Sequence, residues 1–330
     1  MADTKHVSKV AVITRTKDRG ILLERAIKSV HQQSMVDFVH VIINDGGSRE
    51  LVDNLVKKYQ KIIKNRVQVI HNDASVGMEA ASNKAIMSVD STYIAIHDDD
   101  DSWHPDFLKE TTSSLEETGS LGVITLIDKI DEYITGDSVQ EYNRERWMPH
   151  LRTLSFYDLC LDNFAVPIAF LYRRSVFDEI GYYDEDLPVC GDWDFALRFM
   201  SKYDIEYLNR QRPLAFYHHR PKASGVTGNS IFAGADTHEK YRTVLANRLL
   251  RKDIASGGLG VGYLFNQRRA SREEERILRD TVLDIRRRTD DLERIIVERT
   301  NYKQKVKRIA KKISPTVYGK IKSITKRGRS

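Results

Sequence analysis

The sequence predicts an α/β fold, a mainly parallel sheet with helices on both faces, followed by a C-terminal helical, basic extension. Three observations carry this reading. Strand-like and helix-like segments alternate through the first half of the 330 residues. The strand-like runs are apolar without polar alternation, as strands covered on both faces must be. Three of these runs end in short polar clusters, and an open parallel sheet binds ligands in the crevice outside the carboxyl ends of its strands.

The first strand is "VAVIT" at 10–14. Leu22, Leu23, Ala26, Ile27 and Val30 then recur at helical spacing, predicting a helix over 22–33. Residues 38–43 form a second strand running into "NDGGS", 50–64 a helix, 67–70 a strand and 78–89 a helix. The run 93–96 closes the series in His97 and four consecutive aspartates, Asp98 to Asp101. Beyond it the order is less regular. Residues 121–126 and 168–172 read as strands, and 174–180, 192–201 and 237–251 as helices. "GGLGVG" at 257–262 marks a break and the end of the body.

Past that break Leu278, Val282, Ile285, Thr289, Leu292 and Ile296 step by four and three, a short heptad seam. Such a seam fits a helix packed on the body as well as a coiled coil, and it can pair, trimerise or fold back. From Val306 an apolar stripe of Ile309, Ile313, Val317, Ile321 and Ile324 runs among basic residues, as in a helix lying on an anionic membrane surface.

The net charge of +6 conceals a split. From Phe265 onward 21 Lys/Arg face 9 Asp/Glu, whereas the preceding residues hold 32 against 38. A mildly acidic body thus carries a strongly basic tail, which argues for two parts with different partners. No run of apolar residues is long enough to span a bilayer. The start, "MADTKHVSKVAVIT", lacks a secretory pattern, and two cysteines, Cys160 and Cys190, form neither a disulfide framework nor a CxxC site. A reducing cytoplasm is the expected setting. Neither GxGxxG nor GxxxxGK[ST] follows the first strand, which argues against dinucleotide and P-loop binding.

Four adjacent carboxylates repel one another and need a cationic partner. Read alone they fit a solvated acidic loop or a helix cap, and "NDGG" fits plain turn chemistry. Read with their neighbours, the stretches "VAVITRTKDR", "VIINDGGS", "IAIHDDDDSWHPDFL" and "CGDWDFALRF", in this order, resemble the inverting GT-A glycosyltransferases of family 2, of bacterial surface-polysaccharide type. The resemblance covers about residues 7–225 and implies a GT-A, Rossmann-like body. Its nucleotide-sugar half would be 1–127 and its acceptor half 128–262, with 263–330 a helical, basic, membrane-associating tail.

The resemblance also implies roles. Asp98-Asp99-Asp100 matches the DxD element, Asp100 being the direct ligand of Mn²⁺ or Mg²⁺, with Asp98 beside it and Asp98 and Asp99 reaching ribose or metal-bound water. Asp101 could cap the helix near His104 and Pro105. Asp45 stands where an aspartate accepts from the pyrimidine N3–H, and Thr14 where a residue lines the base pocket. Arg15 and Arg19 could add charge near the phosphates. Asn83 stands at the end of a Gly-x-x-x-x-x-Asn element beginning at Gly77, with Ser82 where the family often has arginine. Asp192 matches the general base of the acidic "ED" segment, Gly191 replacing the first acid, with Asp194 as the alternative in another register. His218 or His219 would complete the metal site, Arg220, Lys222 and Ser230 would belong to a lid, and Trp193 would stack on a sugar.

The implied donor is a nucleotide-sugar, a UDP-sugar by family default, and the acceptor a glycan or lipid-linked hydroxyl at the inner membrane face. Two other classes compete. A nucleotidyltransferase shares the sheet but shows a glycine-rich basic signature after the first strand, which "ITRTKDRG" lacks. A nucleic-acid-binding scaffold would use the basic tail, but that tail has no interleaved aromatics and leaves the aspartates without a purpose.

Overall fold

The computed structural model describes residues 7–314 except 137, 209–211, 222, 224 and 230–234. Its first half is a strand–helix alternation. β1 (Ser8–Thr16), α1 (Gly20–His31), β2 (Phe38–Asp45), α2 (Arg49–Lys58), α3 (Gln60–Ile63), β3 (Val67–Asn72), α4 (Met78–Met87) and β4 (Ser91–Ile96) follow in order. β5 (Ser102–Trp103), α5 (Phe107–Thr118), β6 (Gly122–Thr125), β7 (Ile127–Thr135) and β8 (Ser138–Arg146) come next. Then follow α6 (Phe156–Leu159), β9 (Phe170–Arg173), α7 (Phe177–Ile180), α8 (Gly191–Met200), β10 (Glu206–Leu208) and β11 (Ala215–His219). Two long helices, α9 (Ala235–Ser256) and α10 (Val261–Ile313), end the described chain.

The main sheet has the order β10-β6-β9-β4-β1-β2-β3. All its pairings are parallel except those of β9, which runs antiparallel to both β4 and β6. β1 lies between β4 and β2 and shows why its sequence lacks alternation. Val10 and Val12 join one apolar cluster with Phe107, Leu108 and Leu115 of α5. Ala11 and Ile13 join the opposite one with Ala81, Ala85 and Ile86 of α4 and Phe195 of α8. Each face buries its own set, and burial of a Val- or Ile-sized side chain is worth about 1.5–3 kcal/mol.

A second sheet, β5-β11-β7-β8, stands beside the carboxyl ends of the main strands. Its strand β11 runs parallel to β7 and antiparallel to β5, which follows the aspartates directly. The acidic run therefore lies where the two sheets meet.

Local chemistry sets the boundaries. The helix expected over 50–64 is divided at Tyr59, which ends α2 and opens α3, and Lys64 in the left-handed region stops the second piece. Ser48 caps α2 by accepting from Leu51 N. The strand expected over 168–172 begins with a 3-10 turn at Pro167–Ala169 and pairs from Phe170, because the proline has no N–H for a ladder. Asp106, not Asp101, is the residue before α5, and its side chain makes no capping bond.

Contacts divide the chain into two compact units, Met1–Arg268 and Arg269–Ser330. The glycine break lies between α9 and α10, yet the start of α10 still belongs to the body, where Phe265 is buried against Trp193 at 5.0 Å between ring centroids. In the second unit Leu278, Val282, Ile285, Leu292 and Ile296 of α10 are solvent-exposed. Val317, Ile321 and Ile324 lie outside the described residues. Among the described residues, no helix is long and apolar enough to cross a membrane.

Candidate active site

Two adjoining cavities open at the carboxyl ends of β1, β2 and β4. The larger, about 430 Å³, is lined by Arg15, Thr16, Arg19, Asp45, Asp98–Asp101 and Asn229 among others. The smaller, about 120 Å³, holds Asp192 and Glu79. Arg15, Asp98, Asp101 and Tyr217 belong to both walls.

The aspartates are matched by arginines drawn from distant elements. Arg15, at the end of β1, donates from Nε to Asp98 Oδ1 at 3.0 Å. Thr16 Oγ and Arg19 Nη1 donate to the two oxygens of Asp99 at 2.8 and 3.1 Å. Arg220, wholly buried, donates to Asp100 Oδ2 at 2.5 Å and to Glu132 Oε1 at 2.6 Å. Arg25 of α1 donates to Glu132 Oε2 at 2.7 Å and to the Asp100 carbonyl. Asp101 Oδ1 accepts from His218 N at 2.9 Å, joining the acidic turn to β11.

These partners leave the carboxylates in different states. Burial pushes Asp99 up to about 6, against the pull of Arg19. Burial and the neighbouring Asp100 and Asp98 raise Asp101 well above its ordinary value. Burial would raise Glu132 too, but His218 and Arg25 outweigh it and hold this carboxylate at about 2. A desolvated carboxylate stays charged only with such directly bonded cations.

A divalent cation fits this wall. Asp98 Oδ2 and Asp100 Oδ1 accept no hydrogen bond among the described residues, and both residues face the larger cavity. Hard oxygens are what Mg²⁺ and Mn²⁺ take, with phosphate and water completing the shell. Among the described residues, no three His, Cys, Asp or Glu side chains are grouped to hold an ion by themselves. The histidines expected to help are otherwise engaged. His218 donates from Nδ1 to Glu132 at 2.7 Å and accepts at Nε2 from Ser102 Oγ at 2.8 Å. His219 packs edge-on against Tyr217, 4.4 Å between centroids, and burial lowers it to about 4. Neither lines either of these two cavities.

Four further expectations are corrected. Thr14 is buried with its hydroxyl 2.9 Å from His40 Nε2 inside the sheet, and it is Thr16 that reaches the cavity. Asn83 braces α4 to the chain before α8, donating to the Tyr183 carbonyl and Glu185 and accepting from Tyr183 N. It does not line the site. Trp193 is core, its indole N–H donating to the Leu159 carbonyl at 2.7 Å. Asp194 is buried and paired with Arg198 one turn on, at 2.8 Å, so it is not available as the alternative base.

Asp45 does face the larger cavity, but its carboxylate already accepts from Asn72, Ser75, Val76 N and Gly77 N. Those four bonds outweigh its burial and lower its pKa. They also shape the loop 73–77, and a base N–H would share an oxygen with them. The paired glycines have separate reasons. Gly46 has φ +78°, and a Cβ on Gly47 would lie 2.8 Å from Asp18 N.

Asp192 lines the smaller cavity in the first turn of α8 and accepts from Asn163 Nδ2 at 2.9 Å. Burial raises its pKa, offset in part by the helix N–H groups and Arg15. An upward shift brings a carboxylate nearer the pH at which a general base works best. Across from it stands Glu79 of α4, which the sequence gave no reason to single out. Its Oε2 lies 3.7 Å from Arg15 Nη1. Burial pushes it up to about 8 despite Arg15, with Asp192 and Asp98 adding to the rise.

Thr16, Arg25, Glu79 and Glu132 escaped sequence reasoning for one reason. On a doubly buried strand or a helix carrying other charges, their residue types look ordinary. Only tertiary contact reveals them.

A family model described as "Glycosyl transferase family 2" matches residues 11–181, which hold most of β1, the acidic run and most of the residues lining the two cavities. The chain belongs to glycosyltransferase family 2. An uncharacterized glycosyltransferase of Bacillus subtilis, YwdF, is 27% identical over 203 residues, covering 60% of this chain and 70% of that one. The putative colanic acid biosynthesis glycosyl transferase WcaA of Escherichia coli is 25% identical, covering 59% and 67%. Among solved structures, S. aureus TarS in complex with UDP-GlcNAc superposes with a TM-score of 0.53 at 17% identity, covering 73% of this chain and 66% of that one. The mannosyltransferase PcManGT from Pyrobaculum calidifontis, in complex with GDP-Man and Mn²⁺, gives 0.52 at 14%, covering 80% and 70%. These likenesses carry the GT-A type of fold.

Proposed function

We propose that this family 2 chain is a metal-dependent inverting glycosyltransferase. It moves a sugar from a nucleotide-sugar, a UDP-sugar foremost, to a hydroxyl of a glycan or lipid-linked acceptor in polysaccharide or glycolipid synthesis. One observation carries the reading: the acidic wall and Asp192 face adjoining cavities across a partition shared by Arg15, Asp98 and Tyr217. A donor with its diphosphate on the first and its anomeric carbon at the partition would present that carbon to an acceptor beside Asp192.

The chemistry balances with the groups present. Asp192 takes the acceptor hydroxyl proton as its oxygen bonds the anomeric carbon, and the bond to the diphosphate breaks with its electron pair on the leaving oxygen. Arg15 and Arg19 stand where that growing charge appears. Asp100 and Asp98 would hold Mn²⁺ or Mg²⁺, whose chemistry when bound is to neutralise the leaving diphosphate. Relatives named for colanic acid and for PGL/p-HBAD biosynthesis, and neighbours binding UDP-GlcNAc and GDP-Man, support a nucleotide-sugar donor and a surface-glycan product.

Thermal shift with UDP, dTDP and GDP, each with Mn²⁺ or Mg²⁺, tests the donor site. One nucleotide should raise the melting temperature only with the ion present. In Asp100→Asn the ion-dependent part of that rise should disappear, while an oxygen remains for Arg220. A rise equal with and without the ion in the wild type would refute the metal role.

The tail reading is separate. The exposed seam 278–296 pairs with a second copy, and the basic stretch beyond 303 meets an anionic membrane. Deleting residues 269–330, a cut that spares Phe265, should leave a monomer that no longer sediments with anionic vesicles. Retained binding would point to the body instead.

A further inference from the structure

Gly191 opens α8 just before Asp192, and a Cβ built on it would lie 2.5 Å from Oε1 and Cδ of Glu79. No real side chain tolerates that distance. A side chain at 191 and the Glu79 carboxyl therefore compete for one volume, and this chain fills it from α4 instead of from α8. Glu79 is 4% exposed, lines the smaller cavity, and its Oε2 makes no hydrogen bond among the described residues. A buried carboxyl oxygen without a hydrogen bond costs about 1–3 kcal/mol, so its place in the cavity wall calls for a ligand that supplies one.

We propose that Glu79 binds a hydroxyl of a sugar in the Asp192 cavity, doing from α4 what a side chain at position 191 is barred from doing. This rests on the glycosyltransferase reading above. The shape and lining favour a hydroxyl over other ligands. The cavity is about 120 Å³, room for the edge of one sugar ring. With Asp192, Asp98 and Asp101 also in its wall, carboxyl groups outnumber the one arginine there, Arg15, and suit a neutral hydroxyl donor and acceptor better than an anion. Val166, Pro167 and Ile168 provide an apolar surface for ring carbons. The hydroxyl belongs either to the transferred sugar or to the acceptor, and the two arms of the test separate these sources.

The experiment compares wild type, Glu79→Ala, Glu79→Gln and the double variant Glu79→Ala/Gly191→Glu. One arm measures affinity for UDP, UDP-N-acetylglucosamine, GDP and GDP-mannose with Mn²⁺. The other measures transfer from those donors to a panel of p-nitrophenyl glycosides. Glu79→Ala should lower affinity for a nucleotide-sugar, or raise the KM for the glycoside, by about tenfold or more. Affinity for the bare nucleotide should stay unchanged. Movement in the first arm assigns the hydroxyl to the donor, in the second to the acceptor. Glu79→Gln, which keeps a hydrogen-bonding oxygen, should recover most of the loss. The double variant should recover it too, because removing the Glu79 carboxyl frees the space for an acid on α8.

Both arms within twofold of wild type in a folded Glu79→Ala would overturn the proposal. Should that variant not fold, the double variant decides: recovery supports the proposal, and loss of sugar discrimination in a folded protein overturns it. A wild type that binds bare nucleotide but shows no preference for, and no transfer from, any nucleotide-sugar refutes the underlying functional reading, and this inference with it.

Discussion

Asp192→Asn is expected to lower glycosyl transfer by about 10³-fold while donor affinity stays within a few-fold of wild type. Removing a positioned general base costs about 10²–10⁴ in rate, and among the described residues the other carboxyls of that cavity are poor substitutes: Glu79, pushed up to about 8, and Asp101, raised well above its ordinary value, keep their own protons near pH 7. Asp194 is tied to Arg198, and Asp98 to Arg15. The amide can still accept from Asn163 Nδ2, so the fold of the first turn of α8 should survive. The pH dependence is a second signature. Burial raises the pKa of Asp192, and the base form is the deprotonated one. Activity should therefore fall on the acid side through a value above the ordinary aspartate figure of about 3.9. Steady-state transfer and donor titration check both points, and a variant with full transfer would remove Asp192 from the mechanism.

The second large effect concerns stability. Arg220→Met should destabilise the body by about 3–5 kcal/mol at pH 7, the cost of leaving buried charges without their partner. Arg220 is wholly buried and holds Asp100 and Glu132 at once, so both carboxylates lose a charged donor. The loss should depend on pH in a defined direction. Despite its burial, Glu132 is held at about 2 in the folded chain against an ordinary 4.5, by His218 and Arg25 in the first place, and Arg220 adds a charged hydrogen bond of 2.6 Å to its other oxygen. A depressed carboxylate contributes stability that is present above its unfolded value and lost as pH falls toward its folded one. The part of the Arg220→Met deficit that comes from the Glu132 pairing should accordingly shrink as pH falls from about 4.5 toward 2. Denaturant melts of both proteins across that range test this, and a deficit that stays constant or grows would show that the Glu132 pairing contributes little.

Both predictions depend on groups that differ in how far the sequence exposed them. Asp98 to Asp101 and Asp192 were visible as types in place: acids after an apolar strand, and an acid at a helix start. The resemblance points to Thr14, and a doubly buried strand offers no alternation in sequence to tell which residue leaves the sheet. Thr14 turns inward to His40 and Thr16 turns to the cavity. Asn83 is singled out only by the resemblance of 77–83 to the family's Gly-x-x-x-x-x-Asn element, yet a buried amide with three bonds to Tyr183 and Glu185 is a brace between α4 and the chain entering α8. Trp193 follows Asp192 in sequence, but the next residue on a helix points about 100° away, here into the core.

By itself the sequence determined the alternation of strands and helices, the gathering of acids at their carboxyl ends and the charge contrast between body and tail. Each of these follows from local period or composition. Which charge meets which was decided only by the tertiary structure. Arg15, Arg25 and Arg220 reach the acidic wall from β1, α1 and the end of β11, and Glu79 fills from α4 the space beside Gly191 on α8. The physical reason is that buried charges are governed by distance and desolvation, and neither is written in the spacing of residues along the chain.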